Sequence, residues 1–177
     1  MSAALRNAYV GIGSNAEPAT NIAAGLHLLA ARFGALTQST TYVSAPTEGF
    51  GASYWNLVVA FATTLDWAQL RAALKRIEHD CGRTHGETRG VPVTLDLDIL
   101  ILAGRSDESD EYDLPWPALC ELPHVLVPLA ELLPAWRHPG SGHDLAELAA
   151  QCVRATSGLH PVLQNATVAG TVEELLT

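Results

Sequence analysis

Two aspartates separated by a single leucine mark the middle of the chain, in Thr94-Leu95-Asp96-Leu97-Asp98-Ile99-Leu100. Side chains of an extended strand alternate between faces. Asp96 and Asp98 therefore share one face, and Leu95, Leu97 and Ile99 share the other. Positions two apart along a strand are about 6.6 Å apart. Carboxylates at that spacing can grip a pair of Mg2+ ions that also bind phosphate oxygens, which suits an ion held by one or two carboxylates plus substrate phosphates. A solvated strand face is the plainer alternative. It explains the pair poorly, because aspartate is depleted in strands and one would serve solubility.

Other residues carry weaker signals. Tyr54 and Asn56 share one face of a second apolar run. Taken singly, they read as a core tyrosine and a capping amide. Gly11-Ile12-Gly13 hints at a dinucleotide turn, but Ala16 stands where a third glycine is needed. Ser14 lies in no Gly-x-Ser-x-Gly elbow. His138 and His143 flank Pro139-Gly140-Ser141-Gly142, a turn composition that reads as a surface loop before it reads as a metal site. Trp55, Trp67, Trp116 and Trp136 read as packing residues.

The elements that must position these groups follow from spacing. Residues 8–12 predict a strand running into the Gly13-Ser14-Asn15 turn. A helix is expected from Thr20 as N-cap, with Ile22, Leu26, Leu29 and Phe33 at helical spacing and Gly34 just past its end. Strands are expected at 37–43 and 54–63. Asp66 and Gln69 have the spacing of a capping box for a second helix, striped by Leu70, Leu74, Ile77 and Cys81 and stopped by Gly82. A polar loop at 83–93 leads to a strand at 94–102, an acidic loop at 105–113, the Pro115-Trp116-Pro117 segment, and short helices at 126–133 and 144–155. The order β-α-β-β-α-β predicts an α+β, ferredoxin-like sandwich with an antiparallel sheet, helices mostly on one face and a C-terminal helical extension. Residues 1–158 read as one domain and 159–177 as a peripheral extension.

Composition narrows the partners. The chain has 177 residues, 48% of them apolar, which suits one packed domain. Ten basic against 19 acidic residues give a formal charge of -9, which argues against nucleic acid and against an anionic membrane as partners. No run approaches the ~18 apolar residues of a membrane span, and the N-terminus has no leader-like pattern. Cys81, Cys120 and Cys152 are scattered, as expected of a reduced cytoplasmic protein.

Taken together, Ala8-Tyr9-Val10-Gly11-Ile12-Gly13-Ser14-Asn15, Tyr54-Trp55-Asn56, Gly82-Arg83, Thr94-Leu95-Asp96-Leu97-Asp98-Ile99 and Leu126-Val127-Pro128-Leu129 resemble the 6-hydroxymethyl-7,8-dihydropterin pyrophosphokinase family of folate synthesis. The likeness runs from about Ala8 to Pro139. It implies pyrophosphoryl transfer from ATP to the hydroxymethyl group of a reduced pterin, with two Mg2+ ions held by Asp96 and Asp98 and with Arg83 as a catalytic cation. It also implies that Tyr54 stacks on the pterin and Asn56 reads its amide edge. Backbone groups of Ser44, Ala45 and Thr47 would bind the ring, Gly13 would let the backbone approach, and His124 stands where the family stacks a Phe. Lys75, His85, Arg89 and Ile99 fall on the ATP side.

That side departs from the family pattern. Gly90 stands for a Trp. Val93, Ala118 and Leu122 stand where the family has Arg, and Trp116 where it has His. Ser106 through Trp136 contains no Lys or Arg, against seven acidic residues. A triphosphate in a partly desolvated cleft needs cationic partners, and bidentate arginines set geometry as well as charge. The alternative reading is therefore a diverged pterin-binding relative that no longer uses ATP, acting as a metal-dependent aldolase or hydrolase or as a non-catalytic binder.

Overall fold

The computed structural model of the chain describes residues 4–45, 52–83, 92–103, 122–138, 141–155 and 159–162. Strand β1 covers Arg6–Ser14, with alternate residues Ala8, Val10, Ile12 and Ser14 buried. Helix α1 covers Pro18–Phe33. It starts earlier than expected: the cap is Glu17, at φ 40°, and not Thr20. Proline at the first helical position explains the early start, since its fixed φ suits the first turn and its missing N–H has no intrahelical partner to lose. Gly34, at φ 82°, ends the helix as expected.

The strand expected at 37–43 is two short ones, β2 at Thr37–Gln38 and β3 at Tyr42–Ser44. Both pair with β4, Tyr54–Thr63, whose bounds match expectation. The intervening residues bend away: the Ser39 hydroxyl accepts from the Val58 N–H at 2.9 Å, and the Thr40 N–H donates to Glu131 at 2.8 Å. Helix α2, Trp67–Asp80, carries the predicted capping box of Asp66 and Gln69. Strand β5 is Asp96–Leu102, two residues shorter than expected at its start. Helix α3, Pro123–Leu132, begins three residues early, again with proline in its first turn. Helix α4 is Leu145–Ala155, and β6 is His160–Pro161.

The six strands form one antiparallel sheet in the order β5-β1-β4-β3-β6, with β2 also on β4. Strand β6 pairs with β3, so the sequence beyond residue 158, which carried no signal, adds a short edge to the sheet. The helices do not lie mostly on one face. Ala8, Val10, Ile12, Leu57, Val59, Phe61, Leu95 and Leu97 pack with α1 and α2. On the opposite face, Val58, Leu100 and Ile101 pack with α3 and α4. A register shift beside Tyr9 leaves Leu100 bulged, so consecutive residues Leu100 and Ile101 both join this second core. Among the described residues no helix is long and apolar enough to cross a membrane.

Candidate active site

The sheet face that meets the start of α3 is hollow. Register explains why. Gly13 on β1 stands opposite Asp96 on β5 and Asn56 on β4, and Asn56 stands opposite Tyr42 on β3. One rung along, Gly11 stands opposite Asp98 and Val58. Two glycines thus form the floor between an acidic strand and a polar one. Ser44, opposite Tyr54, closes one side, and Leu122 to Val125 at the start of α3 form the roof. The cavity has a volume of about 460 Å³.

Asp96, Asp98, Gly13, Ser44, Ala45, Tyr54, Asn56 and His124, eight residues singled out from sequence, line this one cleft. Lys75, Arg83 and Ile99 do not line it. Ile99 packs toward the α1–α2 core, whereas Lys75 and Arg83 flank the outer edge of β5. Thr47, His85 and Arg89 lie outside the described residues, as do Gly90, Trp116, Ala118 and the acidic loop. His138 is buried, 9% exposed, and its Nδ1 accepts from the Ser141 N–H, so its ring is no surface group. Among the described residues no cluster of three or more His, Cys, Asp or Glu could hold a metal by itself.

Each polar group in the cleft has an oriented partner or a perturbed charge. Asn56 Nδ2 donates to Ser44 Oγ at 3.0 Å, which leaves its Oδ1 on the Gly13 side. Arg83 Nη1 donates to Asp96 Oδ1 at 2.7 Å and to the Leu95 carbonyl at 2.8 Å. Lys75 Nζ stands 3.9 Å from the same Asp96 oxygen. Asp98 reaches solvent at the cleft mouth, yet desolvation by the surrounding atoms, then the charge of Asp96, push its carboxyl above the usual aspartate value. Burial also raises the Tyr54 phenol and lowers His124, so that the imidazole is held neutral.

Glu78 is the residue that sequence reasoning missed. It is fully buried, and its Oε1 accepts from the Leu97 N–H at 2.7 Å and from Lys75 at 2.6 Å. Strand β5 is a sheet edge, so its outward backbone groups need other partners. Glu78 takes the Leu97 N–H and Arg83 the Leu95 carbonyl, while Lys75 reaches the Leu97 carbonyl at 3.5 Å. Lys75 and Glu78 sit three apart on α2, a spacing visible in the sequence. That the pair braces an edge strand was not visible.

The carboxylates fit a hard divalent cation. Asp96 and Asp98 both open onto the cleft, and they offer oxygen donors only.

Residues 9–134 match the family described as 7,8-dihydro-6-hydroxymethylpterin-pyrophosphokinase (HPPK). A 2-amino-4-hydroxy-6-hydroxymethyldihydropteridine pyrophosphokinase of Synechocystis is 33% identical over 169 residues, 94% of this chain and 85% of that one. The protein of the same description from Pseudomonas aeruginosa is 36% identical over 154 residues, 84% of this chain and 93% of its own. Among solved structures, wild-type Plasmodium falciparum HPPK-DHPS with pteroate superposes with a TM-score of 0.66 at 13% identity. That match covers 85% of this chain but 43% of the other, and it is a likeness of fold.

Proposed function

The chain belongs to the 7,8-dihydro-6-hydroxymethylpterin-pyrophosphokinase family, and on that footing we propose that it transfers pyrophosphate from ATP to 6-hydroxymethyl-7,8-dihydropterin in folate biosynthesis. The observation that carries this reading is the row Asp96–Gly13–Asn56 across three strands. It sets a ring-reading amide and a metal-binding carboxylate two strand spacings apart, about 10 Å. A pterin lying over Gly13, with Tyr54 stacked on it, points its hydroxymethyl group toward Asp96 and Asp98. Asn56 Oδ1 accepts from a ring N–H, its orientation held by Ser44. His124, neutral, covers the other ring face.

Asp96 and Asp98 hold Mg2+, two ions on this reading, which when bound neutralises phosphate charge and orients the reacting oxygens. The hydroxymethyl oxygen releases its proton to solvent and forms a bond to the β-phosphorus as the bond between that phosphorus and the αβ-bridging oxygen breaks, and AMP leaves. Arg83 and Lys75 supply positive charge at the Asp96 end. The cleft contributes position and electrostatics more than covalent chemistry. The strand order, with β2 and β3 counted together as the second strand, supports the ferredoxin-like reading, with α1 and α2 as its crossovers.

Two observations favour the diverged alternative. Lys75 and Arg83 are already engaged, with Glu78 and Asp96 respectively. Leu122, at a position where the family has Arg, presents an apolar wall to the cleft. The deciding experiment is AMP release from ATP with Mg2+ and 6-hydroxymethyl-7,8-dihydropterin. AMP formed in step with pterin pyrophosphate establishes the transfer. Pterin binding without AMP removes it in favour of an ATP-independent role.

A further inference from the structure

Ser14, the last residue of β1, and Asn15, which starts the turn after it, have no task in the reaction just described, yet their polar groups are committed. Ser14 is fully buried. Its one hydroxyl proton faces three carbonyls: Thr94 at 2.7 Å, Ala16 at 3.1 Å and Val93 at 3.2 Å. A hydroxyl surrounded by acceptors is a donor, not a nucleophile. Asn15 Oδ1 accepts from the Val93 N–H at 2.6 Å, and the N–H groups of Asn15 and Ala16 both donate to the Val93 carbonyl, at 3.0 and 3.1 Å. Asn21 on α1 braces the turn from behind, donating to the Ala16 carbonyl at 2.6 Å.

We propose that Ser14 and Asn15 are positioning residues that set the acidic strand for metal binding. The proposal rests on the reading of Asp96 and Asp98 as metal ligands. Within the sheet path β5 has a single ladder partner, β1, and the observed ladder ends at Gly13 opposite Asp96. Beyond that rung, among the described residues, no strand pairing holds residues 93 to 95. The turn takes over where the ladder stops: it holds both backbone groups of Val93 and the carbonyl of Thr94, and Arg83 then holds the carbonyl of Leu95. Asp96 is thus fixed from the chain before it as well as from its own strand. Such outer partners orient metal ligands, and their loss costs about 10–100-fold in metal affinity or activity.

The test compares wild type with Asn15→Ala and Asn15→Asp. The second keeps an oxygen acceptor for the Val93 N–H. Amide exchange in metal-free protein is read at Val93 and Leu97, with Val59 on β4 as the internal reference, alongside Mn2+ and 6-hydroxymethylpterin titrations. The expected result for Asn15→Ala is faster exchange at Val93 and Leu97 with Val59 unchanged. Mn2+ affinity falls about tenfold or more, and pterin affinity stays within about twofold, since the pterin end of the cleft is set by β3 and β4. Asn15→Asp restores the exchange protection. Unchanged Mn2+ affinity overturns the proposal, and so does loss at Val59 and of pterin binding in parallel, which is ordinary destabilisation. If wild type binds no Mn2+ at these carboxylates, the metal reading itself fails. Exchange at Leu97 then judges the clamp alone: faster in Asn15→Ala supports it, unchanged overturns it.

Discussion

Gly13 and Asn56 stand directly opposite each other on β1 and β4, and a Cβ placed on Gly13 would come 3.5 Å from Asn56 Oδ1. That distance is ordinary contact, so Gly13→Ala folds normally. The methyl group nevertheless rises from the floor of the cleft and presses on any ring lying there. The expected loss of 6-hydroxymethylpterin affinity is about 1–3 kcal/mol, the usual scale of overpacking. Asn56→Ala loses a similar amount, about 1–3 kcal/mol, because ring polar groups go unpaired. Calorimetry measures both. Wild-type affinity in both variants would place the ring elsewhere.

The Asp98 carboxylate carries an electrostatic cost in the folded chain. Its side chain reaches solvent, but partial desolvation and the charge of Asp96 raise its carboxyl value, so the ionised form is somewhat less favourable in the folded chain than in the unfolded one. The sign follows: at neutral pH the Asp98 charge detracts from stability, and that cost disappears as pH falls through the raised value. Asp98→Asn is therefore expected to unfold at the same or a higher temperature while losing Mn2+ binding and transfer. A lower melting temperature with intact Mn2+ binding would contradict the electrostatic account of this pair.

ATP affinity is expected to be weak for the family. Each well-made charged hydrogen bond is worth about 1.5–3 kcal/mol, and each 1.4 kcal/mol is about tenfold in affinity. Several apolar residues in place of cations therefore weaken ATP by orders of magnitude. Lys75→Ala should weaken it further, since Lys75 stands 3.9 Å from Asp96 and, among the described residues, is one of two cations engaged at that end of β5. ATP titration with Mg2+ present measures this. Micromolar affinity in wild type, unchanged in Lys75→Ala, would show that other groups carry the nucleotide.

His124 should make the fold acid-sensitive. Burial lowers its value below 6.5, so the unfolded chain binds a proton that the folded chain resists. Stability is fully present above 6.5 and is lost as pH falls from there toward the lowered folded value. His124→Phe removes this contribution, and the difference in urea midpoint between pH 7 and pH 5 should shrink. The Phe ring can also stack on a pterin, so binding should persist. An unchanged pH dependence would mean that other groups dominate in this range.

Gly25 on α1 meets the strand behind the acidic pair. A Cβ there would lie 2.7 Å from Leu95 Cδ2 and 3.1 Å from its Cδ1, and Leu95 is fully buried. Alanine gains about 1 kcal/mol of helix propensity, but the displaced leucine costs about 1–3 kcal/mol. Gly25→Ala is expected to be neutral to destabilising, with weaker Mn2+ binding because Leu95 adjoins Asp96. Chemical denaturation and Mn2+ titration check the two effects. A clear gain in stability would show that Leu95 relaxes freely.

Much of this was legible in the sequence because it depends on local periodicity. Alternation placed Asp96 and Asp98 on one face, the Asp66–Gln69 spacing gave the capping box, and Gly34 marked the end of α1. The run Tyr54–Thr63 had strand composition throughout and formed one strand. The misjudged boundaries were at prolines and bends. Pro18 and Pro123 start their helices early, and Ser39 and Thr40 break a strand through contacts with Val58 and Glu131 that no local window contains.

What the sequence by itself determined is which residue types exist at which spacing: an acidic pair, a Tyr-x-Asn face, two glycines on one strand and a formal charge of -9. Tertiary structure decided which of these meet. The pairing of Gly13 with both Asp96 and Asn56 depends on the register of three strands far apart in the chain. The bulge at Leu100 turns two consecutive apolar residues into the second core, which packs against α3 and α4. The Glu78 brace and the Ser14–Asn15 clamp join residues 19 to 80 positions apart. Such contacts obey no spacing rule, because backbone groups at the edge and end of a strand accept whatever partner the fold brings within hydrogen-bond distance.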